Sequence, residues 1–507
     1  MRCAPPVKTD RTAVLGVDVG TTSVKALVLT DRGIAAEASV AHAVLTPHPG
    51  WIEEDATAWQ QGVASAVSQV VARVPDHRIA CVGVTSMVPA LVLVDKQGGP
   101  LRPAILQSDS RAASELGAMA LDPEEVLHVT GSPVNLQQIG PRFRWVAKHE
   151  PVIARHLARV MGASDYITWK LTGSCQVEQN WAMESGLWDF HRRDWVDAYL
   201  EAACVRRDHL PPVAPAMKVV GRISPEGARW SALPEGTAVI AGSADHIAAA
   251  LGAGLQADGD LLVKIGAAGD ILAVTREPKP DRRLFLDLHD IPGLFVANGC
   301  MVTSGVLLEW LKELCSAPNG RNLRELDNAA RDLGPTAGGL IALPYFSGEK
   351  TPIFDPHARG VILGLTLAHR RPHLHRALME GVAYGARHHV DVLRELGIPV
   401  RRVLLADGGA KSPLWRQILA DVLDTEVTAY PGHGGSALGV AFLAGMAVGV
   451  FEHWSDIDRF LGDGVQVEPG SDAAVYASAY TVFRDLYVDV KRHMAAMARM
   501  HDIGEDA

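Results

Sequence analysis

Cysteine is scarce in this chain, with six cysteines among 507 residues and no Cys-x-x-Cys pair. A structural zinc site or a disulfide framework requires cysteines at short or regular spacings. The sequence therefore argues against both, and it predicts reduced, mainly structural thiols in a cytoplasmic protein. The cysteines are Cys3, Cys81, Cys175, Cys204, Cys300 and Cys315.

Long hydrophobic runs are also lacking. The longest nearly apolar stretch near the C-terminus has 13 residues, 439–451, and includes three glycines. A helix needs roughly 18 apolar residues to span a bilayer, so we expect a buried helix there and no membrane partner. Residues 1–10 contain two prolines and an aspartate but no apolar core, and they predict a disordered leader rather than a signal peptide.

Positive charge is not in excess. Lysine and arginine number 48 against 58 aspartates and glutamates, which leaves a net charge of −10 without strong local blocks. A nucleic-acid groove or a surface for anionic membranes requires concentrated positive charge. The charge pattern therefore predicts a soluble enzyme that binds neither nucleic acid nor membranes.

The length of the chain favours two to three domains, at about 150 residues per domain. Apolar runs predict a β-rich opening followed by alternating helix and strand, and the same order begins again after residue 239. The sequence therefore predicts an α/β fold of two similar halves that meet near residue 250. The predicted strands are 13–17, 24–29, 34–40, 79–84, 91–94, 239–242, 261–265, 271–274, 294–297 and 403–406, and the predicted helices are 57–74, 303–314, 373–396 and one that starts at Ser412-Pro413.

The most informative motif is the segment from Asp18 to Lys25, which reads Asp-Val-Gly-Thr-Thr-Ser-Val-Lys between two predicted strands. A short turn of glycine and hydroxyl residues can direct several backbone N–H groups at one phosphate, while Asp18 can hold a hydrated Mg²⁺. The segment therefore predicts a nucleotide-phosphate site. An ordinary hairpin with a polar turn is the alternative, because Gly-Thr turns are common.

A second motif places Asp245 between an apolar strand with a Gly-Ser-Ala bend and an alanine-rich helix, close to the junction of the halves. A carboxylate in a cleft is a candidate base for a hydroxyl group. In phosphoryl transfer, orienting the hydroxyl matters more than basicity, because the transition state is loose. The alternative role for Asp245 is a cap at the helix N-terminus.

Two turns rich in small residues add candidate nucleotide contacts. In the first, a strand runs into Gly408 and Gly409 and then into a helix capped by Ser412, so that backbone can approach a ligand at a helix N-terminus. The second is Gly266-Ala267-Ala268, between two strands. It either mirrors the phosphate turn at 20–22 or is a plain tight turn.

The order of these motifs resembles the FGGY family of carbohydrate kinases, in which the xylulokinases are the most similar members. The resemblance covers about residues 13–445, nearly the whole chain. Further matching segments are Pro49-Gly50-Trp51-Ile52-Glu53-Glu54-Asp55, Pro100-Leu101-Arg102-Pro103-Ala104-Ile105, Asp109 with Arg111, Asp165-Tyr166, Leu171-Thr172-Gly173, Gly348-Glu349-Lys350-Thr351-Pro352, Arg359-Gly360, Gly408-Gly409-Ala410 and Ala437-Leu438-Gly439.

The resemblance implies two ribonuclease-H-like domains of the actin-like ATPase type around a central cleft. The implied organisation is a leader at 1–10, a sugar-binding domain at 11–250, an ATP-binding domain at 251–495 and a tail at 496–507. The implied cofactors are ATP and Mg²⁺, and the implied partner is a small sugar or polyol. A homodimer is a further expectation.

Site residues follow from the matched motifs. The resemblance implies that Asp18 holds Mg²⁺ and that Asp245 is the catalytic residue. The implied ATP-binding residues are Gly20, Thr21, Thr22, Lys25, Gly266, Ala267, Ser304, Gly408, Gly409, Ala410 and Ser412. The implied substrate-binding residues are Trp51, Met87, Val88, Gln107, Asp109, Arg111 and Asp245.

Three departures from the family pattern bear on substrate and rate. Met87-Val88-Pro89 stands where xylulokinases have Gln-Met-His, and Gln107 replaces a tryptophan of the sugar pocket. Ala267-Ala268 replaces a Thr-Ser pair and removes a hydroxyl that would face the γ-phosphate, at a cost on the order of 1.5–3 kcal/mol.

The first expectation is phosphorylation of a ketopentose such as xylulose. The alternatives within the same reaction are ribulose, erythritol or a glycerol-like polyol. In another class, the alternatives are an actin-like ATPase and a non-catalytic sugar-binding regulator.

Overall fold

The computed structural model describes residues 11–314, 323–430 and 434–505, without the side chains of residues 499 and 501–505. The predicted leader, Cys3, Cys315 and the last two residues of the predicted tail lie outside the described residues. Among the helices of the described ranges, none combines the length and the apolar character that a bilayer span requires.

The first half of the chain begins with a β-meander and continues with short helices and strands. Its strands are β1 Arg11–Val19, β2 Ser23–Thr30, β3 Gly33–Ala41, β4 Glu53–Glu54, β5 His77–Ser86, β6 Val92–Val94, β7 Ala104–Ile105, β8 Arg159–Met161, β9 Val177–Glu178, β10 Trp188–Asp189, β11 Asp194–Trp195, β12 Val213–Ala214, β13 Val219–Arg222, β14 Ala238–Ile240 and β15 Ser243–Ala244. Its helices are α1 Ala56–Arg73, α2 Ala113–Ala118, α3 Pro123–Thr130, α4 Ile139–His149, α5 Pro151–His156, α6 Ala163–Thr172, α7 Gln179–Glu184, α8 Asp197–Ala202, α9 Pro225–Ser231 and α10 Asp245–Gly252, with a 3₁₀ helix at Arg207–His209.

The second half again opens with a β-meander. Its strands are β16 Asp260–Ile265, β17 Gly269–Thr275, β18 Phe285–Leu288, β19 Phe295–Met301, β20 Ile341–Leu343, β21 Val361–Leu363, β22 Arg402–Ala406, β23 Val427–Ala429 and β24 Val465–Val467. Its helices are α11 Val306–Leu314, α12 Leu323–Arg331, α13 Arg371–Glu395, α14 Asp407–Lys411, α15 Pro413–Leu423, α16 Gly435–Ala447 and α17 Ala473–Glu505, with 3₁₀ helices at Pro335–Gly338 and Trp454–Phe460.

The two central sheets share one topology. In the first, β1 pairs antiparallel with β2 and β2 with β3, while β5 lies parallel to β1 and β14 parallel to β5. In the second, β16 pairs antiparallel with β17 and β17 with β19, while β22 lies parallel to β16 and β23 parallel to β22. The prediction of an α/β fold with two similar halves, of the ribonuclease-H-like type, is confirmed.

The first sheet is covered on both faces, which explains its continuous apolar runs. A Cβ at Gly16 of β1 would contact the backbone of α16, whereas Gly62 of α1 faces Val24 of β2. Gly16 pairs with Leu27 of β2. Paired residues share a face, so Leu27 points to the same face as Gly16, which α16 covers. Side chains alternate along a strand, so Val24, an odd number of residues from Leu27, points to the other face, against α1. Helices α1 and α16 therefore sandwich the sheet.

Helix α16 belongs to the second half of the sequence but packs on the first sheet and on α10. A Cβ at Gly439 would lie 1.8 Å from the carbonyl oxygen of Ala248, so the helices α10 and α16 approach with no space for a side chain. The buried helix predicted at 439–451 is confirmed and covers Gly435–Ala447. Domain limits at 250, 251 and 495 stay predictions, because the chain returns to the first half after residue 434.

Two buried carboxyl groups, those of Asp165 and Asp290, have strongly raised pKa values. Asp165 accepts hydrogen bonds from the backbone N–H groups of Gly162 and Glu178, at 2.9 and 2.8 Å. Asp290 accepts one from the Ser243 hydroxyl at 2.9 Å. Burial raises the pKa of both carboxyl groups to about 7, because a charged carboxylate loses its hydration there.

We expect the free energy of unfolding to fall as the pH rises from 6 to 8. An unfolded aspartate, with an ordinary pKa of 3.8, holds almost no proton in this range, whereas the folded Asp290 still holds one at pH 6. The native state thus binds more protons, and stability is lost as the pH rises through the folded pKa. One such group contributes about 1.4 kcal/mol across these two pH units.

Urea denaturation at pH 6 and pH 8 measures this difference. Asp290→Asn is expected to reduce the pH-dependent loss by about 1.4 kcal/mol, the contribution of that one group. Asp208→Asn is the control, because Asp208 is exposed and the hydrogen bond from Arg206 lowers its pKa, so that it is ionised throughout. If the free energy of unfolding depends on pH equally in wild type and Asp290→Asn, the raised pKa of Asp290 is contradicted.

Candidate active site

A polar cavity of about 240 Å³ lies between the two halves. Amide, carboxyl and cationic side chains dominate its walls, with a few apolar groups between them. Its lining residues are Val88, Gln107, Ser132, Asn135, Gln137, Gln138, Glu184, Asp245 and His246 from the first half, and Lys264, Ala268, Asp270, Phe285, Asn298, Cys300 and Lys350 from the second. Such a lining suits a small molecule with several hydroxyl groups.

A second cavity of about 540 Å³ lies entirely within the second half. It combines aliphatic and aromatic surface with a few charged groups at its rim. The lining residues are Ile265, Gly266, Ala267, Gly305, Val306, Leu308, Glu309, Leu323, Arg324, Asp327, Gly408, Lys411, Ser412, Pro413 and Trp415. A flat, partly polar ring system would fit this combination.

The turn between β16 and β17 separates the two cavities. Ala268 lines the polar cavity, whereas Gly266 and Ala267 line the second one. The backbone N–H groups of Ser304 and Gly305 donate to the carbonyl oxygens of Ala267 and Gly266, at 2.9 and 2.8 Å. The chain leading into α11 thereby holds the turn in place, and an extended ligand that occupies both cavities must pass this turn.

Asp245 lies at the first position of α10, after the N-cap residue Ala244. Its Oδ1 accepts a hydrogen bond from the backbone N–H of His246 at 2.8 Å. The side chain is 36% exposed and lines the polar cavity. The carboxylate is therefore available to a molecule in the cavity.

Asp18 is the penultimate residue of β1, and its side chain is buried. Burial and the nearby charge of Asp245 raise the pKa of Asp18 to about 7, while Lys25 and Lys264 act in the opposite direction. Its Oδ1 has no hydrogen-bond partner among the described residues. An oxygen of this kind is a preferred ligand of a hard divalent cation, so the residues present fit Mg²⁺.

Lys264 connects this region to the second half. Its Nζ lies 3.0 Å from Asp270 Oδ2 and 3.9 Å from Asp407 Oδ2. The charge of Asp270 raises the pKa of Lys264, with smaller contributions from Asp407 and Asp245 that add to it against burial. The lysine thus stays charged in the wall of the polar cavity, beside the carboxylates of Asp270 and Asp407.

The structure brings several predicted residues to the cavities. Val88, Gln107 and Asp245 line the polar cavity, and Gly266, Ala267, Gly408 and Ser412 line the second one. The predicted N-cap role of Ser412 is confirmed by its hydrogen bond from the Trp415 N–H.

Other predicted nucleotide contacts lie close to the cavities without lining them. Ser304 lies behind the turn that separates them, and its buried Oγ has no hydrogen-bond partner among the described residues. Gly409 and Ala410 are buried inside the short helix α14, where a Cβ at Gly409 would lie 2.7 Å from Ile265. Gly409 thus permits close packing of α14 on β16.

The first hairpin has the predicted form. Residues 20–22 connect β1 to β2, and the Gly20 N–H donates to the Ser23 carbonyl at 3.1 Å. Lys25 lies opposite Asp18 in the strand register. Lys25 therefore lies on the same face of the hairpin as Asp18, and Gly20, Thr21 and Thr22 form the turn that follows β1; their contact with a nucleotide stays a prediction.

Four predicted substrate residues are not among the cavity-lining residues. Met87 is buried, and Arg111 binds Asp109 through two hydrogen bonds of 2.9 and 2.7 Å. The Arg111 guanidinium also lies 2.7 Å from Glu53 and stacks 3.9 Å from the centre of the Trp51 ring. Trp51, Asp109 and Arg111 form one network in the first half, in which the Asp109 and Arg111 side chains are buried and Trp51 is half-buried. Their contribution to substrate binding remains a prediction.

Arg142 on α4 organises the walls of the polar cavity. This fully buried side chain donates to the carbonyl oxygens of Pro89 at 2.6 Å, Ile105 at 3.0 Å and Gln138 at 3.2 Å, and also to that of Gln137. Burial lowers the pKa of Arg142 to about 9, which still leaves the guanidinium charged near neutral pH. One side chain thus connects three separate segments next to the cavity.

Sequence reasoning missed a cluster of titratable groups in the cavity wall. His246 Nε2 lies 3.1 Å from Asp287 Oδ2 and 3.8 Å from Glu184 Oε1, and its Nδ1 lies 3.4 Å from Asp245 Oδ1. Only the position of His246 next to Asp245 could have signalled its role. Glu184 and Asp287 are distant in sequence and lie in segments without a motif.

The pKa values in this cluster are strongly shifted. Burial alone would lower the pKa of His246, but Asp287, Asp245 and Glu184 raise it well above its ordinary value. Burial, together with the charges of Asp287 and Asp245, raises the pKa of Glu184 to about 8. At neutral pH the cluster therefore contains an imidazolium and a protonated Glu184.

Comparisons with known proteins agree with the fold and the motifs. The N-terminal domain of the FGGY family of carbohydrate kinases matches residues 13–252, and the C-terminal domain of that family matches residues 262–448. The chain is 31% identical over 438 residues to the xylulose kinase of Escherichia coli (strain K12), covering 85% of this chain and 90% of that protein. It is 26% identical over 497 residues to the gluconokinase of Bacillus subtilis (strain 168), covering 94% and 95%.

The crystal structure of xylulose kinase from Rhodospirillum rubrum aligns with this structure at a TM-score of 0.90 and 38% identity, covering 95% of this chain and 100% of that chain. The two domain matches together include most of the chain. The chain belongs to the FGGY family of carbohydrate kinases, and it is a phosphotransferase that acts on an alcohol group of a carbohydrate.

Proposed function

We propose that this enzyme transfers the γ-phosphoryl group of Mg²⁺-ATP to a hydroxyl group of a small sugar, with D-xylulose as the first candidate. The observation that carries the proposal is the meeting of two cavities at one turn, with Asp245 on the polar side. A relative at 31% identity over most of the chain is a xylulose kinase, which supports the choice of sugar.

The second cavity is the proposed site of the adenosine. Apolar surface from Leu308 and Trp415 suits the base, and Gly408 permits close approach of the backbone. The phosphate chain would then run along the turn at 266–268 toward the hairpin at 20–22. Asp18 is the proposed Mg²⁺ ligand, and the cation would neutralise charge on the phosphates.

The polar cavity is the proposed site of the sugar. The Oε1 atoms of Gln107 and Glu184 are buried and have no hydrogen-bond partner among the described residues. The Gln107 oxygen would accept a hydrogen bond from a hydroxyl of a bound sugar, and the protonated carboxyl of Glu184 could donate to a sugar hydroxyl or accept from one. The carboxamide of Gln107 thereby takes a recognition role where xylulokinases have a tryptophan.

Asp245 is the proposed catalytic residue. Its carboxylate faces the cavity and would orient the attacking hydroxyl group and accept its proton. Because the transition state of phosphoryl transfer is loose, alignment of the hydroxyl with the γ-phosphorus contributes most of the effect. Exclusion of water by the surrounding walls would suppress hydrolysis of ATP.

A sugar acid such as D-gluconate is the second candidate substrate. Lys350 lines the polar cavity, and its Nζ forms no ion pair with any carboxylate of the described residues. A free ammonium in a cavity favours an anionic group. The gluconokinase of Bacillus subtilis (strain 168) is a relative at 26% identity.

The assembly and the location of the protein stay proposals. Cys81, Cys175, Cys204 and Cys300 are unpaired in the described part of the chain, and a cytoplasmic location stays a proposal. We expect no nucleic-acid partner, on the basis of the net charge of −10, and a homodimer remains the expected assembly.

An ADP-release assay with ATP and Mg²⁺ tests the proposed reaction. The panel contains D-xylulose, D-ribulose, erythritol, glycerol, D-gluconate and a reaction without sugar. We expect the highest kcat/KM with D-xylulose. Lys350→Met should lower kcat/KM for D-gluconate at least tenfold more than for D-xylulose, if the ammonium binds the carboxylate.

The other outcomes distinguish the alternatives. ATP hydrolysis that no sugar stimulates would contradict the proposal and favour an actin-like ATPase. Sugar binding by calorimetry without ADP release would favour a non-catalytic regulator. Higher kcat/KM with another panel member would correct the substrate and leave the reaction in place.

A further inference from the structure

We propose that His246 is a positioning residue that fixes the carboxylate of Asp245 for phosphoryl transfer. The inference rests on the proposed role of Asp245 and adds a residue that no motif of the sequence indicated. His246 follows Asp245 on α10 and lines the same polar cavity, with its side chain 13% exposed.

His246 constrains one oxygen of Asp245 and leaves the other one free. Asp245 Oδ1 accepts a hydrogen bond from the His246 backbone N–H at 2.8 Å, and the His246 Nδ1 lies 3.4 Å from the same atom. No hydrogen bond to Oδ2 is formed within the described residues. Two donors on Oδ1 thus set the orientation of the carboxylate and direct Oδ2 to the substrate. Catalytic hydrogen bonds are often long before substrate binds, so the distance of 3.4 Å is compatible with this role.

The imidazole is itself anchored from the opposite side. Its Nε2 lies 3.1 Å from Oδ2 of Asp287, a fully buried residue of β18. Asp287 is in turn held by Asn298 of β19, whose side-chain amide donates to Oδ2 at 2.8 Å. The anchor therefore belongs to the second half, whereas Asp245 belongs to the first. Through His246, closure of the two halves would determine the orientation of the carboxylate.

The charges around the ring favour the form that can donate at both nitrogens. The ring is faced by Asp245 on its own helix, by Glu184 at the end of α7 and by Asp287 on β18. These groups raise the pKa of His246 well above its ordinary value despite its burial. An imidazolium donates from Nδ1 and Nε2 simultaneously, which a neutral ring cannot do.

A metal site is the main alternative for these side chains. Ligand-type atoms of Glu184, His246 and Asp287 lie within 4.8 Å of one another. However, a metal ion would need the nitrogen atom that lies 3.1 Å from Asp287, and it would require a neutral ring. The hydrogen bond and the surrounding negative charge favour the positioning role.

Three substitutions at one position separate the two ring nitrogens. His246→Asn retains an amide donor near the place of Nδ1, His246→Gln retains one near the place of Nε2, and His246→Leu retains neither. We expect His246→Leu and His246→Gln to lower kcat by about 10–100-fold, because a small displacement of a catalytic group costs that much. His246→Asn should retain at least five times more activity than His246→Leu, and KM for ATP should change less than twofold in all three.

The assay uses the panel sugar with the highest kcat/KM, and His156→Leu, an exposed position on α5, is the control. The double variant with His246→Leu and Asp287→Asn should be no slower than His246→Leu alone, because Asp287 acts through the imidazole. If the loss of kcat in the double variant instead equals the product of the losses in the two single variants, the proposal is overturned. The proposal is also overturned if His246→Leu loses less than threefold in kcat while Asp245→Asn is inactive. Retention of full activity in Asp245→Asn would instead overturn the proposed role of Asp245.

Two measurements on the protein without sugar complete the test. In ¹H–¹⁵N long-range spectra, both ring nitrogens of His246 should be protonated at pH 7.5, and Asp287→Asn should convert the ring to a neutral form. A wild-type ring without a proton on Nδ1 would overturn the proposal. Elemental analysis should show no stoichiometric transition metal; one equivalent in wild type that is absent from His246→Leu would overturn it in favour of a metal site.

Discussion

Asp245→Asn is expected to lower kcat by about 10²–10⁴-fold, the range typical of a lost general base. The amide has the shape of the carboxylate, so α10 and the cavity should keep their geometry. It cannot accept the proton of the hydroxyl group, and it would present a donor to that hydroxyl in part of its orientations. Binding of ATP and sugar should persist, because Asp245 is proposed to act mainly on the transition state.

Steady-state kinetics measure the loss of kcat, and calorimetry measures whether ATP and sugar still bind. Asp197→Asn is a matched control, because Asp197 also lies in the first turn of a helix but has a side chain that is 81% exposed. We expect the control to keep the wild-type kcat. A loss of less than tenfold in Asp245→Asn would remove Asp245 from the proposed mechanism.

Arg142→Met is expected to destabilise the protein by roughly 3 kcal/mol or more, since each buried carbonyl left without a partner costs about 1–3 kcal/mol. Four backbone carbonyl oxygens beside the polar cavity would each lose the hydrogen bond from Arg142, and that of Ile105 would keep the one from the Leu91 N–H. Because methionine fills similar volume, the effect reports lost hydrogen bonds more than a cavity. Release of Pro89, Gln137 and Gln138 should also raise KM for the sugar at least fivefold.

Arg144→Met on the same helix provides the comparison. The Arg144 side chain is 29% exposed and pairs with Glu115, which keeps a second partner in Lys148. A partly exposed pair contributes about 0–1 kcal/mol. Denaturant unfolding and sugar KM measure both variants, and equal stability of the two would contradict the organising role of Arg142.

Local pattern was sufficient for the elements that carry the nucleotide-site prediction. The runs at 13–17 and 24–29 contain the apolar residues of β1 and β2, and the small, hydroxyl-bearing turn between them gives a hairpin beside Asp18. The run at 261–265 likewise predicted β16 within one residue. Such short-range signals depend only on strand propensity and turn chemistry, which neighbouring residues determine.

The position of α16 illustrates what local pattern could not predict. The sequence of α16 indicates a buried helix, but it does not identify the sheet on which the helix packs. Packing on β1 and α10 depends on Gly16 and Gly439, at which a Cβ would clash with backbone of the opposing element. Complementarity between two surfaces far apart in sequence decides such a contact.

The amino-acid sequence by itself determined most strands of the two central sheets, several of the longer helices, the repeated α/β halves and the FGGY membership of this protein, because those depend on local preferences and ordered motifs. Only the tertiary structure decided which polar residues share a cavity. It brought Glu184, His246 and Asp287 together beside Asp245. It also placed Arg111 against Asp109 and Trp51, so that none of these three lines the cavity. The physical reason is that hydrogen bonds and charge interactions act over a few ångströms in space, whereas His246 is tens of residues from Glu184 and from Asp287 along the chain, as Arg111 is from Trp51.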